Sequence, residues 1–254
     1  MMDELKEVFE LAAGATTLVN EILKLKKNNK NQSEDEAIIS SKGDYAQIGS
    51  SGDYAKIGSS GNYAQIGSSG YSAKIGSSGY SAQIDSTGAK AVISGIGIKS
   101  IAKGKIGSWI TLTEYKKDEK DNWVVDYVKT EQIDGEKIKE DTYYTLYNHE
   151  FAEVQIIDDV RTIILNRKKN VFKGLFLDSL TPCYVVEKDG IYSHGVTLKE
   201  AKDSLIYKIS NRDTSMYENY TLDTVVTFEE AVKMYRVITG ACEAGTRNFV
   251  EGLA

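Results

Sequence analysis

The sequence is poor in the side chains that most often carry chemistry. Its 254 residues include two cysteines, Cys183 and Cys242, and two histidines, His149 and His194. Two thiols so far apart form neither a zinc spacing nor a redox pair. The plain reading of both is a reduced, buried thiol packed as a small hydrophobe. Gly240 and Gly245 bracket Ala241 to Ala244, but that stretch lacks the Gly-Lys-Ser/Thr ending of a phosphate loop. No catalytic residue, cofactor or metal ligand is therefore assigned, and a non-enzymatic protein is expected.

Long apolar runs are also missing. No stretch approaches the ~20 residues that cross a bilayer, so no membrane partner is expected. Asp3, Glu4, Glu7 and Glu10 sit where a signal peptide would be basic. These features predict a cytoplasmic protein. A basic footprint is lacking too. The net charge is −6, and residues 106–158 account for it with thirteen acids against six bases. Nucleic acid is not the expected partner.

What is abundant is a nine-residue repeat. Gly43-Asp-Tyr-Ala-Gln-Ile-Gly-Ser-Ser51 recurs from Gly52, Gly61, Gly70 and Gly79, and weaker copies extend it over 34–105 as eight units. Ala46 and Ile48 alternate with Tyr45 and Gln47, the period of a half-buried strand. This reading gives a five-residue strand and a four-residue Gly-Ser-Ser-Gly corner, with glycine supplying positive φ. Such a unit cannot bury its own apolar face, whereas stacked units can, which is the logic of a solenoid. The variable position reads Gln47, Lys56, Gln65, Lys74, Gln83. Identity returns every eighteen residues, so an 18-residue coil with a glutamine ladder on one face is predicted. A three-sided, 27-residue coil is the competing geometry. A calcium-binding nonapeptide array is disfavoured, because Asp44 and Asp53 give way to Asn62, Tyr71 and Tyr80. The row Tyr45, Tyr54, Tyr63 is a candidate interaction surface.

Four segments follow, in a mainly β chain. Residues 1–30 predict an amphipathic helix with Leu5, Val8, Ala12, Ala15, Val19 and Ile22 at coiled-coil spacing. It serves either as a solenoid cap or as a dimer or trimer seam. Residues 34–105 are the β-solenoid. Residues 106–158 read as an antiparallel β cap, with Trp109–Tyr115 and Trp123–Val128 as one hairpin and 143–147 and 151–157 as a second. Residues 159–254 read as an α+β domain. There Thr197-Leu-Lys-Glu200 and Thr227-Phe-Glu-Glu230 are capping boxes, Gly240 stops the second helix, and 243–250 is a third.

The repeats, with Gly104-Lys-Ile-Gly-Ser-Trp109 and Asp134-Gly-Glu-Lys-Ile-Lys-Glu-Asp-Thr-Tyr-Tyr144, resemble uncharacterised phage, prophage and gut-bacterial proteins. In those proteins a Ser/Gly-rich repeat tract precedes a Trp-containing β block. Tyr192-Ser-His-Gly-Val-Thr-Leu-Lys-Glu-Ala201 and Thr239-Gly-Ala-Cys-Glu-Ala-Gly-Thr246 are similar to C-terminal domains of phage-encoded proteins. They are loosely similar to HicB-type antitoxins as well. The resemblance implies a phage setting and supplies no activity.

The functional expectation is a phage-type interaction protein, a solenoid scaffold presenting a C-terminal binding domain. Its partner is a host or phage protein, and inhibition of a host antiphage defence protein, as by an anti-CRISPR, is the concrete version. His194, Arg236 and Arg247 are the candidate interaction residues in the C-terminal domain. His194-Gly195 reads as a strand-end turn before a helix N-terminus, with Gly195 at positive φ. Alternatives are a structural or assembly component of a phage particle or tail, and an enzyme using a Cys242–His194 nucleophile pair. Such a pair needs a third, orienting group, and nothing in the sequence places the two together.

Overall fold

The computed structural model describes residues 30–210, 213–221, 224–242, 245–247 and 249. The expected helix over 1–30, with Leu5, Val8, Ala12, Ala15, Val19 and Ile22, lies outside the described residues except for Lys30 at its end. The chain divides into two compact units, Met1–Phe151 and Ala152–Ala254.

The first unit is a two-sided β-solenoid of about five turns with 18 residues per turn. One side stacks β1 (Lys30–Gln32), β3 (Gln47–Ser50), β5 (Gln65–Ser68), β7 (Gln83–Ser86) and β9 (Ile101–Lys103). The other stacks β2 (Ile38–Ser41), β4 (Lys56–Ser59), β6 (Lys74–Ser77), β8 (Val92–Gly95) and the start of β10 (Trp109–Lys117). All these neighbours run parallel. Gln47 pairs with Gln65 and Gln65 with Gln83, while Lys56 pairs with Lys74. The predicted 18-residue coil and the glutamine ladder are therefore present, and the 27-residue geometry is excluded. The parallel stacks run beyond 34–105 at both ends, through β1 and through the pairing of Trp109 with Val92.

Strands β2 to β8 are four residues long, not five, and the corner differs from the predicted one. In each unit the left-handed residue is not glycine but the third residue: Tyr45, Tyr54, Tyr63, Ser72, Ser81, Lys90 and Lys99 all have φ near +57°. The repeat glycine has a different role. A Cβ on Gly61, Gly70 or Gly79 would collide with the carbonyl oxygen of the glycine one coil below. The fourth, sixth and eighth residues of the unit point inward, as the buried rows of Ala, Ile and Ser show. Serine was not anticipated as a core residue. A core this thin admits only small side chains beside the isoleucines. No single unit orders itself, since fixing each backbone residue costs about 1–2 kcal/mol. Ladder bonds such as Gln65 N–H to the Ala46 carbonyl (2.8 Å) are shared between coils.

The corner Asp and Asn side chains bond along the stack. Asp44 Oδ1 accepts from Asn62 N–H (2.7 Å), Asp53 Oδ1 from Tyr71 N–H (2.7 Å), and Asn62 Oδ1 from Tyr80 N–H (3.0 Å). Each side chain ties its corner to the one above.

The Trp-containing block closes the last coil. β10 folds back on β11 (Trp123–Gln132) as the predicted hairpin, with a bulge near Glu114 and Tyr115. β12 (Tyr143–Tyr147) pairs antiparallel with β9 through Tyr144 and Ala102. Ile110, Leu112, Ile133, Ile138, Tyr144 and Leu146 join the solenoid core there.

The second unit is an antiparallel meander. Its strands are β13 (Glu150–Ile157, the first two residues belonging to the first unit), β14 (Val160–Lys168), β15 (Val171–Phe176), β16 (Pro182–Lys188) and β17 (Ile191–Gly195). β14 and β15 were not foreseen. In β14 the consecutive apolar residues Ile163, Ile164 and Leu165, ahead of a register shift, mask the alternation. Asp158-Asp159 and Asp189-Gly190 turn the chain with positive φ at both residues, the geometry favoured in two-residue hairpins. α1 (Leu198–Ile209) and α2 (Phe228–Thr239) both begin with the predicted reciprocal capping boxes. Gly240, at φ 75°, ends α2 as expected. α1 packs Ala201 and Leu205 on Val186. Of the expected third helix, residues 245–247 and 249 are described, and they are helical. Among the described residues no helix is long and apolar enough to cross a membrane.

Candidate functional site

The tyrosine row divides between the two edges of the solenoid. Tyr45 and Tyr63 stack in parallel, with centroids 4.9 Å apart and planes 7° apart, and Tyr63 meets Tyr80 edge-on. On the other edge Tyr54 meets Tyr71 edge-on. Each column ends under a lysine: Lys99 over Tyr80 and Lys90 over Tyr71. Tyr45 and Tyr63 cover one face of each other, the other pairs meet edge-on, and Tyr45, Tyr54 and Tyr63 remain exposed. This packing offsets part of the 1–3 kcal/mol that a left-handed non-glycine residue costs. Tyr71 and Tyr80 complete the columns, having moved one position earlier in their units while serine took the left-handed place.

In the second unit the structure brings together what the sequence kept apart. His194 Nδ1 lies 2.9 Å from Cys242 Sγ. Asp158, between β13 and β14, accepts the Cys242 backbone N–H (2.9 Å) and pairs with Lys208 of α1 (2.5 Å). Lys208 also donates to the Tyr192 carbonyl (3.1 Å). The Gly245 N–H points at Cys242 Sγ at 3.3 Å. A Cβ on Gly245 would collide with Asp158, so glycine is required for that approach.

Burial decides the protonation of this cluster. It pushes the Cys242 thiol up to about 11, against the Gly245 N–H, which favours thiolate. It lowers His194 to about 4, with Asp158 opposing. The carbonyls of Val160 and Ile157 also work to raise His194. For Asp158 burial raises the pKa, but Lys208 and the Cys242 N–H outweigh it and hold the carboxyl below its usual range. Both groups are thus held neutral at pH 7, a thiol in contact with an imidazole. Nucleophilic catalysis needs the opposite, a thiolate beside imidazolium.

His194 is not the turn residue that the sequence implied. It lies within β17, opposite Val185, and is fully buried. Gly195 does not have positive φ. Its missing side chain lets the start of α1 approach, because a Cβ would collide with Ala201 N and Glu200. Beside this point is a cavity of about 700 Å³. Three residues assigned from the sequence, His194, Arg236 and Arg247, all line it, together with Tyr207, Glu200 and Asp203. The Arg236 guanidinium lies 4.9 Å over the Tyr207 ring. Arg247 faces Glu229 at 3.6 Å. The two acids are engaged by neighbours: Glu200 accepts the Val196 and Thr197 N–H groups of the cap, and Asp203 pairs with Lys199.

Asp158, Lys208 and Tyr207 were missed. Nothing in a sequence signals that a turn aspartate will meet a backbone N–H 84 positions later. A second polar cluster did leave a signal. Asp85 breaks the repeat where glycine stands, and Lys103 follows one coil later. The two pair at 2.9 Å beside Tyr143, whose hydroxyl accepts from Gln83 Nε2. Among the described residues no group of three His, Cys, Asp or Glu is placed to hold a metal ion.

No protein-family model matches the sequence, and no curated protein and no solved structure matches it either.

Proposed function

We propose that this is a non-enzymatic, cytoplasmic interaction protein of the phage type, whose second unit binds a protein partner at the cavity lined by Arg236, Arg247 and Tyr207. One observation carries the reading. Residues from a strand, two helices and the C-terminal segment converge on one cavity, which His194, Glu200, Asp203, Tyr207, Arg236 and Arg247 line. An acidic side chain or C-terminal carboxylate of the partner fits such a site, since guanidinium pairs with carboxylate in a planar, two-bond geometry. The solenoid is the rigid scaffold of the chain. A host antiphage defence protein is the concrete partner, consistent with the resemblance of both halves to phage proteins.

The 2.9 Å approach of Cys242 and His194 is the one feature that favours an enzyme instead. The buried, neutral state of both groups weighs against it. A virion component is the remaining alternative, supported by the repeat scaffold alone. The test is expression of the chain in a panel of bacteria, each carrying one active defence system, followed by phage challenge. Loss of protection in one host, restored when Arg236 and Arg247 are both changed to Glu, is the expected result. No effect in any host, with the chain recovered in purified particles, would move the assignment to the virion.

A further inference from the structure

Two of the elements that line the cavity of the second unit meet at one carboxylate that does not line it. Arg247 comes from the segment after α2, and Tyr207 from the last turn of α1. Asp158 Oδ2 accepts the N–H of Cys242 in that segment (2.9 Å), and Asp158 Oδ1 pairs with Lys208, the residue after Tyr207 (2.5 Å). From Cys242 the bonding continues towards Arg247. The N–H and the hydroxyl of Thr246 both donate to the Cys242 carbonyl (2.9 and 3.0 Å), and Thr246 is fully buried. On the α1 side, the Tyr207 ring carries the Arg236 guanidinium. The turn that holds Asp158, at φ 48°, does not itself call for a charge, since Asn-Gly serves such hairpins best. The side chains of Asp158 and Lys208 are only 15% and 21% exposed, so the pair is shielded from solvent.

We propose that Asp158 is the positioning residue of the cavity: its one carboxylate holds both the segment that carries Arg247 and the end of α1 that carries Tyr207. It thereby sets where the Arg236 and Arg247 guanidiniums stand for a partner's carboxylate. This role rests on the cavity being the partner's site, whereas the tether can be tested without a partner. The Cys242–His194 contact touches the same segment, but a thiol is a weak donor and a weak acceptor. Both bonds of Asp158 are charge-assisted, and such bonds are about twice as strong as neutral ones. The carboxylate is therefore the anchor, and the thiol contact follows from it.

Iodoacetamide labelling of the folded full chain, read separately at Cys242 and Cys183, tests the tether to the segment. Cys183 is buried in β16 and reports on opening of the whole meander. Asp158→Gly removes the carboxylate without straining the left-handed backbone. It should make Cys242 react at least about tenfold faster while Cys183 keeps its native rate, because one lost charge-assisted bond frees the segment locally. Asp158→Asn keeps an oxygen for the Cys242 N–H and should restore most of the protection. NMR of the Arg236 side chain tests the tether to α1. The Tyr207 ring should shift the guanidinium signals upfield, and the shift should shrink in both variants, since neither keeps the charge that pairs with Lys208. Equal acceleration at both cysteines in Asp158→Gly would make the aspartate merely structural. An unchanged Cys242 rate with an unchanged Arg236 signal would mean that both elements hold their places without it. Either result would overturn the proposal. Neither readout involves a partner, so a tether that behaves as stated supports the positioning role even where changing Arg236 and Arg247 to Glu has no effect on phage growth, which counts against the binding reading alone.

Discussion

The carbonyl oxygen of Gly52 occupies the space that a side chain on Gly70 would need: a Cβ at Gly70 would fall 1.9 Å from it. Gly76, in the same repeat, has open space instead. The two glycines look alike in sequence and differ in what they do. Gly70→Ala forces the corners of adjacent coils apart and should lower stability by about 3 kcal/mol or more, in the range of steric overpacking. Gly76→Ala should be within about 0.5 kcal/mol of the native chain. Urea unfolding followed by the fluorescence of Trp109 and Trp123, both in the first unit, measures the contrast. Equal effects at the two positions would contradict the stacking described.

Coil length gives a second prediction. Removing residues 52–69 deletes one full turn and leaves Gln47 over Gln83 and the strands after it on their own faces. Removing residues 52–60 deletes half a turn and exchanges the sides of the strands before it relative to those after it, setting Gln47 over Lys74, while β10 and β12 keep β8 and β9 as partners. The 18-residue deletion should retain the in-register glutamine stack; the 9-residue deletion should break it and melt at a lower temperature. Circular dichroism and thermal melting of both deletions decide it.

How much of this was legible beforehand follows from distance along the chain. The Gln/Lys alternation repeats through the tract, so the coil length could be read from it. The capping boxes and Gly240 are local signals, and they hold. The left-handed Tyr54 was not readable, because glycine is the usual occupant of that conformation and the actual reason for Gly52 lies one coil away. Likewise Cys242 and His194 are 48 residues apart, and only the folding of β17 against the C-terminal segment joins them. Arg236 and Arg247 were placed in the same domain as His194, but the cavity that unites all three is a tertiary fact.

Stability of the second unit should depend on pH through His194. Burial lowers its pKa from 6.5 to about 4, so the unfolded chain binds a proton that the folded chain does not between those values. Stability is therefore full above pH 6.5 and falls as pH drops towards 4, by up to about 3 kcal/mol. Denaturant unfolding at pH 7 and pH 5, followed by the NMR signals of residues in β14–β17, should show the loss. His194→Gln should flatten that part of the profile. An unchanged profile would mean that His194 is not buried as described.

The thiols should be inert. Burial raises Cys183 to about 12 and Cys242 to about 11. At pH 7.5 alkylation of the native chain should be at least about a hundredfold slower than that of free cysteine, whose pKa is about 8.5. It should become fast on unfolding. Rapid native labelling at Cys242 would revive the enzyme reading.

The central claim is that the cavity of the second unit binds a protein. The direct measurement is affinity capture from bacterial lysate with three full-length baits run in parallel: the native chain, the chain with both Arg236→Glu and Arg247→Glu, and the Gly76→Arg chain. Quantitative mass spectrometry compares what each retains. The account predicts one protein held by the native and Gly76→Arg baits and lost from the double-Glu bait, with purified partner then showing the same difference in direct titration. Identical recovery on all three baits, or no protein above background on the native chain, would contradict it.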